Sequence, residues 1–121
     1  MSVTHHQLSV LVVEDEALVR GCIAFELERA GYAVIEAGDA EEALRAFEEH
    51  PEVDAVFSDR NMPGRFDGLT LLQRIHQRRP DVRLILTSGR GEPGTGEMPT
   101  GAVFVAKPYD IRSLASLVRP H

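Results

Sequence analysis

Residues 9–36 read SVLVVEDEALVRGCIAFELERAGYAVIE, and the change of rhythm within them decides the fold. Ser9 to Val13 is a short apolar run rich in β-branched side chains, closed by Glu14, Asp15 and Glu16. An unbroken apolar run of this length suits a strand covered on both faces, as in a parallel sheet. Leu18, Val19, Cys22, Ile23, Leu27 and Ala30 then recur at helical spacing, and Gly31 offers the left-handed residue that stops a helix. Ala33 to Glu36 returns to strand character, with a polar interruption that suits a sheet edge. Strand, helix and strand in so short a span make a βα unit of a parallel sheet.

The rhythm continues outward from that unit. Ala55 to Ser58, Arg83 to Thr87 and Val103 to Ala106 are three further strands, giving five in all. Asp39 can cap a helix whose Glu42 completes a capping-box-like pattern, with Ala43, Leu44 and Phe47 facing inward and His50 and Pro51 ending it. Another helix runs from about Leu69 to Arg79 through Leu72 and Ile75, closed by Pro80. The last starts near Asp110 and presents Ile111, Leu114, Leu117 and Val118. Between the fourth and fifth strands, GRGEPGTGEMPTG at Gly89 to Gly101 holds five glycines and two prolines, which predicts a loop or a single turn there.

The 121 residues fit one domain, compact domains most often running about 100 to 150 residues. The expected division is a flexible leader over 1–7, one domain over 8–119 and no output domain. Aromatic residues are only 6% of the chain against 43% hydrophobic, so aliphatic side chains must build the core. A net charge of −6 argues against a standing nucleic-acid surface and leaves room for a cation. Cys22, the only cysteine, cannot form an internal disulfide; its spacing predicts a buried core thiol, and a reducing cytoplasm is the expected location. No apolar run approaches the roughly 20 residues that span a bilayer, Met1 to Gln7 lacks signal-peptide character, and no membrane partner is expected. His5 and His6 read as polar leader rather than as metal ligands.

In an open α/β sheet, ligands bind beyond the carboxyl ends of the strands. Strand one presents Glu14 and Asp15 there, strand three Asp59, strand four Ser88 after Thr87, and strand five Lys107 followed by Pro108. Three clustered carboxylates repel one another, and burial makes their charges costlier. One lysine offsets one charge. A hard divalent cation would offset the rest, and Mg2+ suits an all-oxygen site, with Mn2+ as the alternative. A carboxylate placed there could attack a phosphoryl group and become an aspartyl phosphate, with Ser88 and Lys107 contacting its oxygens.

Four segments resemble a known family. LVVEDE at Leu11 to Glu16, SDRNMPG at Ser58 to Gly64, LTSG at Leu86 to Gly89 and FVAKPYD at Phe104 to Asp110 are similar to the motifs of response-regulator receiver domains of two-component signalling. The resemblance spans essentially the whole chain. It implies an α/β fold, a flavodoxin-like doubly wound (βα)5 with a five-stranded parallel sheet in the order 2-1-3-4-5, here with the fourth helix short or missing. It further implies that Asp59 accepts phosphate from a histidine kinase or phosphotransfer protein. Asp15, Asp59 and the Asn61 backbone carbonyl would bind Mg2+, with Glu14 assisting through water. Ser88 matches the switch hydroxyl because Gly89 fills the small position after it, Thr87 being the alternative. Lys107 matches the phosphate-sensing lysine, whose bond to the next proline is often cis in the family. Phe104 matches the aromatic switch position, with a simple core aromatic as the rival reading. Lacking a hydroxyl, it would act by packing alone. Asn61 and Arg90 match positions that tune dephosphorylation.

A member of this family is a signalling switch rather than an enzyme: it catalyses only its own phosphorylation and dephosphorylation and passes the signal to a downstream protein partner. Two departures stand out. One extra residue separates Pro63 from the Asp67–Gly68 pair, and the segment Gly89 to Gly101 falls where many relatives dimerise or dock outputs, leaving the oligomeric state unassigned. Among other classes, a P-loop needs G-x-x-x-x-G-K-[ST] after the first strand, where this chain has EDEALVR. An aspartate-nucleophile phosphatase would usually carry an acid where Asn61 stands. The remaining alternative is a degenerate receiver working as a phosphorylation-independent interaction module.

Overall fold

The computed structural model describes residues 7–119; His5, His6, Pro120 and His121 lie outside them. Five strands, β1 (Ser9–Val13), β2 (Ala33–Ala37), β3 (Val53–Asp59), β4 (Arg83–Ser88) and β5 (Val103–Ala106), form one parallel sheet in the order β2-β1-β3-β4-β5. The polar-interrupted strand β2 is an edge, as its sequence predicts. Alternate residues feed opposite faces. Leu11 and Val13 join a core with α2 (Ala40–Glu49) and α3 (Gly68–Arg78), whereas Val10 and Val12 join one with α1 (Ala17–Arg29) and α4 (Leu114–Val118). No helix among the described residues is long and apolar enough to cross a membrane.

Local chemistry sets the helix starts. Asp39 Oδ1 accepts the Glu42 amide at 2.8 Å, and Glu42 reaches back to the Gly38 amide at 3.1 Å, one residue before the usual capping-box partner. Asp67 Oδ1 caps α3 through the Thr70 amide at 2.9 Å. Each such cap contributes about 1 kcal/mol. Leu72 and Ile75 are fully buried on α3, and truncating either to Ala is expected to cost about 2–5 kcal/mol. The final helix begins as a 3-10 turn, Ile111–Ser113, capped by Asp110, before α4 continues it.

The first helix corrects one expectation. Cys22 is exposed, not a core thiol, and Leu18 and Ala30 are exposed as well, while Ile23, Ala24 and Leu27 are buried. Leu18 at 83% and Phe25 at 60% exposure stand on the outer side beside Cys22. This helix is apolar around most of its circumference, so spacing alone admits two inward faces. The sheet chooses the one that lays Ile23 and Leu27 over Val10 and Val12.

Residues 89–102 contain no helix, as the glycines and prolines require, and Gly91 and Gly96 turn the chain at φ of 94° and 86°. The segment is tied to α3 where Gln73 Nε2 donates to the Glu97 carbonyl at 2.8 Å, and Met98 and Ala102 pack against the core. Val13 pairs with Ser58, Asp59 with Thr87 and Ser88 with Ala106. The carboxyl ends of β1, β3, β4 and β5 therefore finish level on one rim.

Candidate functional site

That rim gathers the polar residues. Glu14 follows β1, Asp59 ends β3, Ser88 ends β4 and Lys107 follows β5. One carboxylate oxygen each from Glu14, Asp15 and Asp59 lie within 4.8 Å of one another. Asp59 and Glu14 are only 4% and 3% exposed, whereas Asp15 faces solvent. Lys107 Nζ donates to Asp59 Oδ2 at 2.7 Å, and the Asn61 amide donates to Oδ1 at 3.1 Å. Lys107 is the only lysine in the chain, the other bases being arginines. A compact ammonium here, instead of a planar guanidinium fork, leaves the second carboxylate oxygen free for other partners.

The electrostatics follow from this crowding. Burial pushes the Glu14 carboxyl up to about 7; the Glu16 amide, bonding at 3.0 Å, pulls it down, and Asp15 and Asp59 push it up again. Partial burial works against the Lys107 ammonium, but the bond and charge of Asp59, then Glu14 and Glu16, hold its pKa above the ordinary lysine value. Burial also lifts Tyr109 to about 12, with Glu14 and Asp59 adding repulsion; its ring meets Phe57 edge to face at 5.9 Å. With Lys107 the only nearby ammonium, the carboxylates keep an excess of negative charge. The all-oxygen donor set therefore fits a hard divalent cation.

The two adjacent hydroxyls separate cleanly. Thr87 Oγ1 donates to the Val105 carbonyl at 2.7 Å inside the sheet, whereas Ser88 Oγ lies on the rim, donating to Asn61 Oδ1 at 3.0 Å and accepting the Arg90 amide at 3.0 Å. Strand alternation puts the two on opposite faces. Arg90 meets the site through this amide, and its side chain is exposed. Phe104 is half-buried and packs on the α2 and α3 core. The Lys107–Pro108 peptide is cis.

Two further residues shape the site and escaped sequence reasoning. A side chain on Gly68 would collide with the Asp59 carbonyl oxygen and come within 2.7 Å of Ser58 Oγ. Glycine is thus what lets α3 begin against the back of the acidic strand end. A glycine at the first position of a capped helix was the available clue. Arg20 Nη1 donates to the Glu14 carbonyl at 2.7 Å while its Nε pairs with Glu36 at 3.2 Å, tying α1 to the ends of β1 and β2. Nothing in the sequence distinguishes this arginine from a solvated one.

Comparison with known proteins agrees with this geometry. Residues 10–119 match the family described as response regulator receiver domain. The sensor kinase CckA of Brucella abortus is 40% identical over 115 residues, 92% of this chain and 12% of the kinase. The solved receiver domain of a hybrid histidine kinase CckA shares 39% identity and a TM-score of 0.75, covering 89% of this chain and 93% of that one. A CheX–CheY–BeF3–Mg complex from Borrelia burgdorferi aligns with a TM-score of 0.79 and 28% identity, covering 92% of this chain and 86% of that one. The chain belongs to the response-regulator receiver family. It spans less than half the length of the curated relatives it matches.

Proposed function

We propose that this receiver takes a phosphoryl group onto Asp59 from a phosphohistidine of a kinase or phosphotransfer protein. The observation that carries the reading is the convergence of Glu14, Asp15 and Asp59 within 4.8 Å, with Lys107 on Asp59. Glu14, Asp15, Asp59 and the Asn61 backbone carbonyl are the groups that would hold Mg2+, or Mn2+ in its place. When bound, the cation supplies positive charge that lowers the repulsion between the carboxylates and an incoming phosphoryl group.

An Asp59 carboxylate oxygen attacks phosphorus, forming the P–O bond as the P–N bond to the donor histidine breaks and its electron pair returns to the imidazole. Lys107, already directed at Asp59, pairs with the transferred group, and Ser88 turns its hydroxyl from Asn61 to a phosphoryl oxygen. Asn61 and Arg90 flank that group and set the access of hydrolytic water. Thr87 is committed to the Val105 carbonyl, which supports Ser88 as the reading hydroxyl. Phe104 follows by repacking on the core that α2 and α3 cover.

The domain acts on no substrate besides its own aspartate and signals to a downstream protein, with the cytoplasm as its place of work. Its net charge of −6 supports a protein output over direct nucleic-acid contact. The phosphorylation-independent alternative requires a defective site, and every expected group is present. Intact-mass measurement after incubation with acetyl phosphate and Mg2+ tests the proposal. One phosphoryl adduct is expected, absent from Asp59→Asn; no adduct, or one that persists in that variant, overturns it.

A further inference from the structure

We propose that the face between α2 and α3 binds a short acidic peptide segment of a partner protein, one that carries an apolar side chain. A cleft of about 360 Å3 opens there against the loop joining β3 to α3. Leu44 and Phe66 line it, both partly buried and packed on the core. Arg45, Arg65 and Arg74 also line it. The Arg74 guanidinium lies over the Phe66 ring, 4.3 Å from its centroid, and holds that ring in place as an apolar platform.

Charge selects the occupant. Glu48 lines the same cleft but is paired with Arg78, and Glu41 is the other carboxylate present. Three guanidiniums thus line the cleft against two carboxylates, one of which is already neutralised from outside by Arg78, a positive surplus on a chain whose net charge is −6. Arg45 and Arg65 are exposed and make no ion pair among the described residues. Guanidiniums grip carboxylates through two parallel hydrogen bonds. An extended polyanion such as nucleic acid would meet the negative charge of the rest of the surface. The cleft's volume, at the low end for ligand pockets, suits one or two side chains. Arg65 and Phe66 stand on the loop that carries the extra residue after Pro63, so the feature that departs from the commonest family spacing supplies one of the cleft's two apolar residues and one of its unpaired arginines.

The proposal does not depend on Asp59 chemistry, and its test uses the unphosphorylated full chain. A random heptapeptide library displayed on phage is selected against the protein. The expected consensus holds two or more Asp or Glu around a Leu or Phe, and a synthetic peptide of that sequence binds more weakly as salt rises. Binding falls by about tenfold or more in Arg45→Glu/Arg65→Glu, on the order of two lost charge-assisted contacts, and is unchanged in Arg29→Glu on α1. Should the double reversal lower the melting temperature, Arg45→Gln/Arg65→Gln serves instead, with a smaller loss expected. A consensus without acidic residues, peptides that bind the substituted protein as well as the parent, or full displacement by a single-stranded oligonucleotide overturns the proposal.

Discussion

Lys107 Nζ stands 2.7 Å from Asp59 Oδ2, so the chain's only ammonium side chain is committed to the carboxylate proposed to react. Asp59 is 4% exposed and Lys107 about a third, which places the pair between a buried and a surface ion pair. Replacing Lys107 with Gln leaves a buried carboxylate without its counter-charge. A loss of about 1–2 kcal/mol is expected, toward the lower end because solvent reaches the lysine. Asp59→Asn in the same background should recover most of it. Urea unfolding of the four proteins of this cycle measures the coupling, and additive losses would show that the two charges do not sense each other.

The Glu14 carboxyl gives a pH dependence of defined sign. Its folded pKa of about 7 lies above the ordinary 4.5, so between these values the unfolded chain has released a proton that the folded chain keeps. Without divalent cations, stability contributed by this group is full below about 4.5 and is lost as pH rises to about 7, on the order of 2–3 kcal/mol in total. Glu14→Gln should flatten that part of the profile. Mg2+ should do the same in the parent protein, since it favours the carboxylate. Urea unfolding in EDTA at about pH 5 and pH 7.5 reads the difference between parent and variant; equal slopes would refute the assignment to Glu14.

Gly68→Ala puts a methyl group against the Asp59 carbonyl and Ser58 Oγ. We expect a destabilisation of about 1–3 kcal/mol, the usual cost of overpacking, together with slower acetyl phosphate labelling as the strand end shifts. Gly21→Ala, where a side chain would meet nothing within 4 Å in mid-helix, should instead stabilise by about 0.5–1 kcal/mol. Thermal melts and labelling rates of the two variants, taken together, separate crowding at the site from a general glycine effect.

Ser88 is held by Asn61 in the unphosphorylated state. Removing that acceptor with Asn61→Ala leaves the hydroxyl free for a phosphoryl oxygen while keeping the Asn61 backbone amide and carbonyl. Beryllofluoride with Mg2+ should bind the variant about 2–5-fold more tightly, the yield of one solvent-accessible hydrogen bond no longer broken. Calorimetric titration measures it; unchanged or weaker binding would mean that the bond does not compete.

The sheet was legible because buried parallel strands write unbroken apolar runs: Ser9–Val13 and Val103–Ala106 have the bounds read from sequence, and the other three strands extend by one to three residues. The rim was legible because strand ends of a parallel sheet converge, so Glu14, Asp59, Ser88 and Lys107 could be brought together before any coordinates. Cys22 was misplaced because a helix apolar on two sides has no unique inward face, and only contact with Val10 and Val12 decides it. Arg20 and Gly68 were missed for a different reason. Their work is done through backbone atoms of Glu14 and Asp59, which residue spacing does not report; only the glycine at the start of a capped helix hinted at it, and nothing marked Arg20.

The helix-free connection after Ser88 bears on how the molecule opens. Its internal backbone bonds are few, Glu97 to Gly94 at 3.1 Å and Ala102 to Pro99 at 3.0 Å among them, and the side-chain tie to Gln73 is exposed. In amide hydrogen exchange, residues 89–102 should therefore exchange through small local openings, while β1, β3 and β4 exchange only with global unfolding. Ser88 thus sits at the seam between two exchange regimes. A binding partner can remould the soft side without drawing on the cooperativity that keeps Asp59 in register.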